Sequence, residues 1–167
     1  MRSLAILLAA CGLLFAAEAS YAQRDAASKM SGQAYNIGSS SIYQQHAYEN
    51  AQAIEYYAQQ GKTVPKETLK EHAEQIRHNL ALSNKQLASL EALAKTDKTV
   101  AQHLTAIKEH HAKAVEACGM VDECADAGGE SATVAQCCKD MTTHLKAAKA
   151  EHEKLQKYLK VSPIKTK

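Results

Sequence analysis

Apolar residues recur at alternating steps of four and three along most of this chain. Leu69, Ala73, Ile76, Leu80, Ser83, Leu87, Leu90 and Ala94 form one such series. Val100, Leu104, Ile107, His111, Ala114 and Cys118 form a second. Val134, Cys138, Met141, Leu145, Ala148, His152, Leu155 and Leu159 form a third. A mean step of about 3.5 residues lays each series along one side of an α-helix, whereas a half-buried strand would repeat every second residue. Ala47, Ala51, Ile54 and Ala58 give a shorter stripe, with Tyr43, Asn50 and Tyr57 at its edge. A helix with a single apolar stripe must bury it against other helices. The chain is therefore expected to be all-α.

Turn chemistry sets the helix limits. The first helix is expected from about Asp25 to Gln60, loosened at Gly38-Ser39-Ser40-Ser41 and stopped by Gly61. The second opens near Pro65, a residue suited to a first helical turn, and runs to about Ala94. The third begins at Asp97 or just after and ends near Gly119; the fourth runs from about Ser131 to Lys160, with Pro163 beyond. Short connections at Gly61 to Val64 and Lys95 to Asp97 turn successive helices antiparallel. The expected architecture is an up-down-up-down antiparallel four-helix bundle, one domain over residues 23–167. Beyond residue 22 there is no Phe and no Trp, so Leu, Ile, Val, Met and Ala must build the core.

Residues 1–22 read as a secretory signal peptide. Arg2 supplies the charged start, Leu4 to Ala17 the apolar segment, and Ser20-Tyr21-Ala22 the small-x-small site before cleavage. The apolar run ends at Glu18 and is too short to span a bilayer. Leu8-Ala9-Ala10-Cys11 resembles a bacterial lipobox, so a lipoprotein anchored through Cys11 is the lesser alternative. The apolar run continues past Cys11 through Leu13 to Ala17, which favours cleavage after Ala22. The protein is expected to be periplasmic or secreted, with no integral membrane segment after cleavage. A net charge of +2 is too balanced to indicate nucleic acid or an anionic membrane as a main partner. The lysines crowding the C-terminus are the cations a helix C-terminus favours.

Export gives the cysteines meaning. Cys118, Cys124, Cys137 and Cys138 lie beyond the leader, and an even number favours disulfides there. Adjacent Cys137 and Cys138 are poorly placed to bond each other, so each needs Cys118 or Cys124. Cys118 and Cys138 share stripe positions, which favours Cys118–Cys138 with Cys124–Cys137 over the swapped pairing. Either set staples the loop between the third and fourth helices, at ~3 kcal/mol per bond in the chain-entropy model. The functional rival is a thiolate site for Zn2+ or Cu+ with Met120 or Met141 near it, although the spacing matches no standard zinc module.

The eight histidines are His46, His72, His78, His103, His110, His111, His144 and His152. On facing antiparallel helices, residues at one level have numbers with a constant total. Cys118 with Cys137 totals 255, and so do His111 with His144 and His103 with His152. That predicts a metal site of His111 and His144 with His110 beside them, and a second, weaker site of His103 and His152. Imidazole suits Cu and Zn, with Glu109 and Glu151 as further or orienting ligands. Heptad phase puts His78 on the outer face of its helix.

No E-x-x-H, H-E-x-x-H or C-x-x-C-H occurs, and no nucleophile triad or phosphate loop can be read. The chain is not expected to be an enzyme. Met30 and His152 fall at a common pole, where some bundles ligate b-type haem, but a pocket without Phe or Trp would be poorly walled, so haem is disfavoured. In architecture the chain resembles small exported helical-bundle proteins of bacteria that store or sense metals. Copper-storage bundles carry many more core cysteines, so the resemblance stops at architecture. Two functions follow as expectations: an exported bundle binding Cu or Zn for storage, sensing or delivery, or a non-catalytic, disulfide-stapled scaffold or interaction module whose histidines are incidental.

Overall fold

The computed structural model describes residues 32–61 and 63–161. The expected leader with Cys11, the expected first turns from Asp25, Met30 and Pro163 lie outside the described residues. The fold is all-helical, and among the described residues there is no strand. Helix α1 covers 32–59. Helix α2 spans Lys66–Leu87 and passes through a 3-10 turn, Ala88–Leu90, into the short α3, Glu91–Ala94. Helices α4, Lys98–Asp126, and α5, Ser131–Tyr158, complete the four long helices.

The stripes are the buried faces. Every residue of the α2 series from Leu69 to Leu90 is buried, as are all six of the Val100 series. The Val134 series is buried through Leu155. Two expectations about limits are corrected. Helix α1 runs unbroken through Gly38 to Ser41, because Gly38 and Ser40 face inward where small side chains fit. Helix α4 continues seven residues past Gly119, because Val121 and Ala125 carry its stripe into the core.

Local chemistry terminates the helices. The Asp97 carboxylate accepts from the backbone N–H groups of Thr99 at 2.9 Å and Val100 at 3.1 Å, capping α4. Its other oxygen accepts from the Tyr158 hydroxyl at 2.9 Å, tying the end of α5 to the start of α4. Those backbone bonds hold the Asp97 carboxyl below its ordinary range. At the far end, Gly129 N–H donates to Cys124 O at 2.8 Å and Gly128 N–H to Ala125 O at 3.4 Å, the paired bonds of a Schellman stop. Gly129 has φ of 69°, and a Cβ there would lie 2.6 Å from Val64 O.

Contacts between helices run in opposite numerical sense. Asn50 and Ser40 of α1 meet His72 and Ser83 of α2 at 2.9 and 2.7 Å. Lys70 and Asn84 of α2 meet Asp126 and His111 of α4, both at 2.8 Å. Gln44 of α1 donates to Leu145 O of α5 at 2.9 Å. Arg77 of α2 also pairs with Asp122 of α4. Two apolar clusters result. The larger holds Ala47 to Ala58 of α1, Leu69 to Leu80 of α2, Ala114 to Ala125 of α4 and Val134 to Leu145 of α5. The smaller holds Ile37, Leu87, Leu90, Val100, Leu104, Ile107 and Leu155.

Leu80 lies wholly inside the larger cluster, so Leu80→Ala should cost ~2–5 kcal/mol in chemical denaturation as a buried truncation. Gly129→Ala should destabilise as well, since it meets both a left-handed φ and a backbone oxygen. Gly119→Ala, where a Cβ meets nothing within 4 Å, is the control and should not destabilise.

Candidate functional site

Consecutive residues of a helix point about 100° apart, and at His110 and His111 this decides everything. His110 stays at the edge of the α4–α5 seam, half-buried. Its Nδ1 lies 3.4 Å from Nδ1 of His144, with ring centroids 5.6 Å apart and planes tilted by 32°. His111 is fully buried and turns away from His144. Its Nδ1 bonds Asn84 Oδ1 of α2 at 2.8 Å, and its ring lies 6.0 Å from that of His152. The expected pairs are thus exchanged: His110 meets His144, and His111 neighbours His152. His103 does not reach His152 but donates from Nδ1 to Glu151 at 2.7 Å, and Lys154 holds the other Glu151 oxygen at 2.6 Å. His110 with His144 totals 254, one from the expected register, whereas His111 with His152 totals 263, so the constant total finds the outer pair and misses the inner one. Among the described residues, no three His, Cys, Asp or Glu side chains group so that they could hold a metal ion.

The interior pair belongs to a polar layer to which every long helix contributes. Ser83 Oγ donates to Ser40 O at 3.0 Å. Its one proton thereby spent, Ser83 Oγ accepts from Ser40 Oγ at 2.7 Å. Ser40 Oγ then takes a long bond, 3.5 Å, from His152 Nε2. On α4, His111 Nδ1–H donates to Asn84. Each imidazole is therefore tethered by one nitrogen and has the other free of protons: His111 Nε2 and His152 Nδ1 are buried without a partner. Burial pulls His111 down to about 4, helped by His110, and His152 down to about 3, helped by His111. At neutral pH both rings are uncharged. His144 is also held below the usual imidazole range, by its partial burial and by His110 and Lys113.

The four cysteines are free thiols. Cys118 Sγ turns to Met141 Sδ at 3.9 Å, and Cys124 Sγ lies 3.9 Å from Cys137 Sγ. Cys138 is buried in the same cluster. Burial pushes Cys118 and Cys138 up to about 12 and Cys137 to about 11, so these three are protonated at neutral pH. Met120 is 46% exposed and stands apart. His78 and Glu109 are exposed, and His72 rests beside Tyr57 with centroids 6.3 Å apart.

Sequence reasoning missed Ser40, Gln44 and Asn84. For the first two a signal existed: stepping back from Ala47 by three and four reaches Gln44, Ser40 and Ile37, all buried. Asn84 lies beside the α2 stripe and carries no such signal.

A histidine neutral in the fold and protonated when unfolded makes stability fall with acid. The loss starts near pH ~6.5 and is spent for His111 near about 4 and for His152 near about 3. Each should contribute a slope of about 1.4 kcal/mol per pH unit within its window. Asp97 and Glu91, whose ionised forms are favoured, lose stability only below the ordinary carboxylate range. Denaturation measured from pH 6.5 to 4.5 should therefore show a slope that His152→Leu reduces. An unchanged slope in that variant would contradict the assignment.

Comparison with protein-family models, curated proteins and solved structures finds no match to this chain.

Proposed function

We propose that this is an exported helical-bundle protein that binds a divalent transition metal, Cu2+ or Zn2+, through His110 and His144, for storage, sensing or delivery. The observation that carries the reading is their Nδ1–Nδ1 separation of 3.4 Å. Two nitrogens each ~2.0–2.1 Å from a tetrahedral ion lie about 3.3–3.4 Å apart, so the pair matches one edge of such a site. Both rings are half-buried, open enough to admit an ion with water on its remaining positions. No catalysis is assigned. Export rests on the leader, and no described helix is long and apolar enough to cross a membrane.

The up-down-up-down bundle belongs to this proposal, supported by the opposed numerical sense of the helix contacts. So does the staple. In an oxidising compartment Cys124 and Cys137, 3.9 Å apart, are the first pair to join. Cys118 and Cys138, buried in one cluster, are the second. One observation favours the interaction-module reading. Tyr56 and Tyr57 are exposed, stack edge-on at 6.1 Å, and line a surface hollow of ≈ 430 Å³ with Val64 and Pro65.

Metal titration by calorimetry tests the site directly. The chain from Gln23 should bind one Zn2+ or Cu2+, and a His110→Ala, His144→Ala double variant should lose it. Binding should also weaken in acid, because a protonated imidazole cannot ligate. Equal binding by both proteins would remove the site and put the interaction module first. For the staple, peptide mapping of the oxidised, non-reduced chain should recover a Cys124–Cys137 cross-link. Four free thiols after oxidation would contradict it.

A further inference from the structure

We infer that the interior pair, His111 and His152, is a separate site for a monovalent d10 ion, Cu+, held by His111 Nε2 and His152 Nδ1. It goes beyond the surface site and uses other residues, so either can fail alone. Both nitrogens are buried without a partner, and their rings lie 6.0 Å apart. A buried acceptor left unsatisfied is costly, so two in one layer call for a common ligand. Each ring is already oriented from its other nitrogen, His111 by the Asn84 amide oxygen at 2.8 Å and His152 by the Ser40 hydroxyl at 3.5 Å. That is how metal-ligating histidines are ordinarily prepared: the second nitrogen donates to an oxygen, which fixes the tautomer and directs the lone pair of the first.

The charge of the layer selects the ion. The polar groups bonded to the two rings and to each other, buried Ser40 and Ser83 and half-buried Asn84, are all neutral. Among the described residues no carboxylate or thiolate is bonded into the layer to balance a dication. The cost of taking an ion out of water grows with the square of its charge, so a neutral, water-excluding layer discriminates strongly against Zn2+ and Cu2+. Cu+ carries one charge, favours soft or borderline donors, and is satisfied by two ligands. Two neutral imidazoles meet that requirement, and their burial keeps the lone pairs unprotonated. The thiols at the other end of the core are competing Cu+ ligands, so the histidine pair fills after them.

The test is residue-resolved. Under anaerobic conditions, the chain with 15N-labelled histidine is titrated with Cu+ supplied as its acetonitrile complex, in excess over the four thiols. The imidazole nitrogens are followed by NMR. The expected result is movement of His111 Nε2 and His152 Nδ1, in the unmodified chain and equally in the His110→Ala, His144→Ala variant. Zn2+ should leave both unmoved. A His152→Gln variant should abolish the response at His111, its fold being checked by its circular dichroism and melt. Because the wild-type readout needs no substitution, a poorly folded variant does not blunt the test. Excess Cu+ that shifts only His110 and His144, or that shifts no imidazole, overturns the interior site, and the orphaned nitrogens then belong to a buried water. An equal response to Zn2+ overturns the charge argument and with it the assignment to Cu+.

Discussion

The bonds from Ser83 to Ser40, from His152 to Ser40 and from His111 to Asn84 join residues of all four long helices at one height. An apolar stripe tolerates sliding by a heptad, because Leu against Leu is much the same one repeat along. A buried hydrogen bond does not, since a slip leaves polar groups unpaired in the core. The layer separates the larger apolar cluster from the smaller, and it gives the helices a register that leucine and alanine alone would specify weakly. Its cost is visible in the same place: among the described residues His111 Nε2 and His152 Nδ1 have no partner.

The two histidine pairs are products of one helical geometry. Helix α4 presents His110 to the seam surface and His111 to the interior, and α5 answers with His144 outside and His152 inside. The outer pair is half-buried at the seam between α4 and α5. The inner pair is fully buried and uncharged at neutral pH. The same burial that lowers the inner imidazoles raises the thiols of Cys118 and Cys138, so the core as a whole disfavours ionised groups of either sign.

Much of the fold was legible because burial follows period. The stripes beginning at Leu69, Val100 and Val134 could be written down from the residues alone, and their polar members Ser83, His111 and His152 already marked the layer. Helix limits were harder. Glycine at position 119 looked like a stop, yet Val121 and Ala125 outweighed it, and the stop lies at Gly128 and Gly129 where the backbone takes positive φ. The site was half legible. Adding residue numbers located the level of His110 and His144, whose total of 254 is one from the expected 255, but not that of His111 and His152, whose total is 263; the phase of the stripe carries the information for the interior pair. His111 and His152 were both stripe positions, so their common inward direction was available; reading level without phase paired them with His144 and His103 instead.

The central claim is that two uncharged imidazoles, tethered at opposite nitrogens, sit in the core of the fold. The nitrogen chemical shifts of His111 and His152 between pH 7 and 4.5 measure it directly, reporting both protonation and tautomer at each ring. Neither ring should titrate near pH ~6.5, and the proton should sit on Nδ1 of His111 and on Nε2 of His152. Two histidines that titrate together near pH 6.5, or that carry the opposite tautomers, would contradict it.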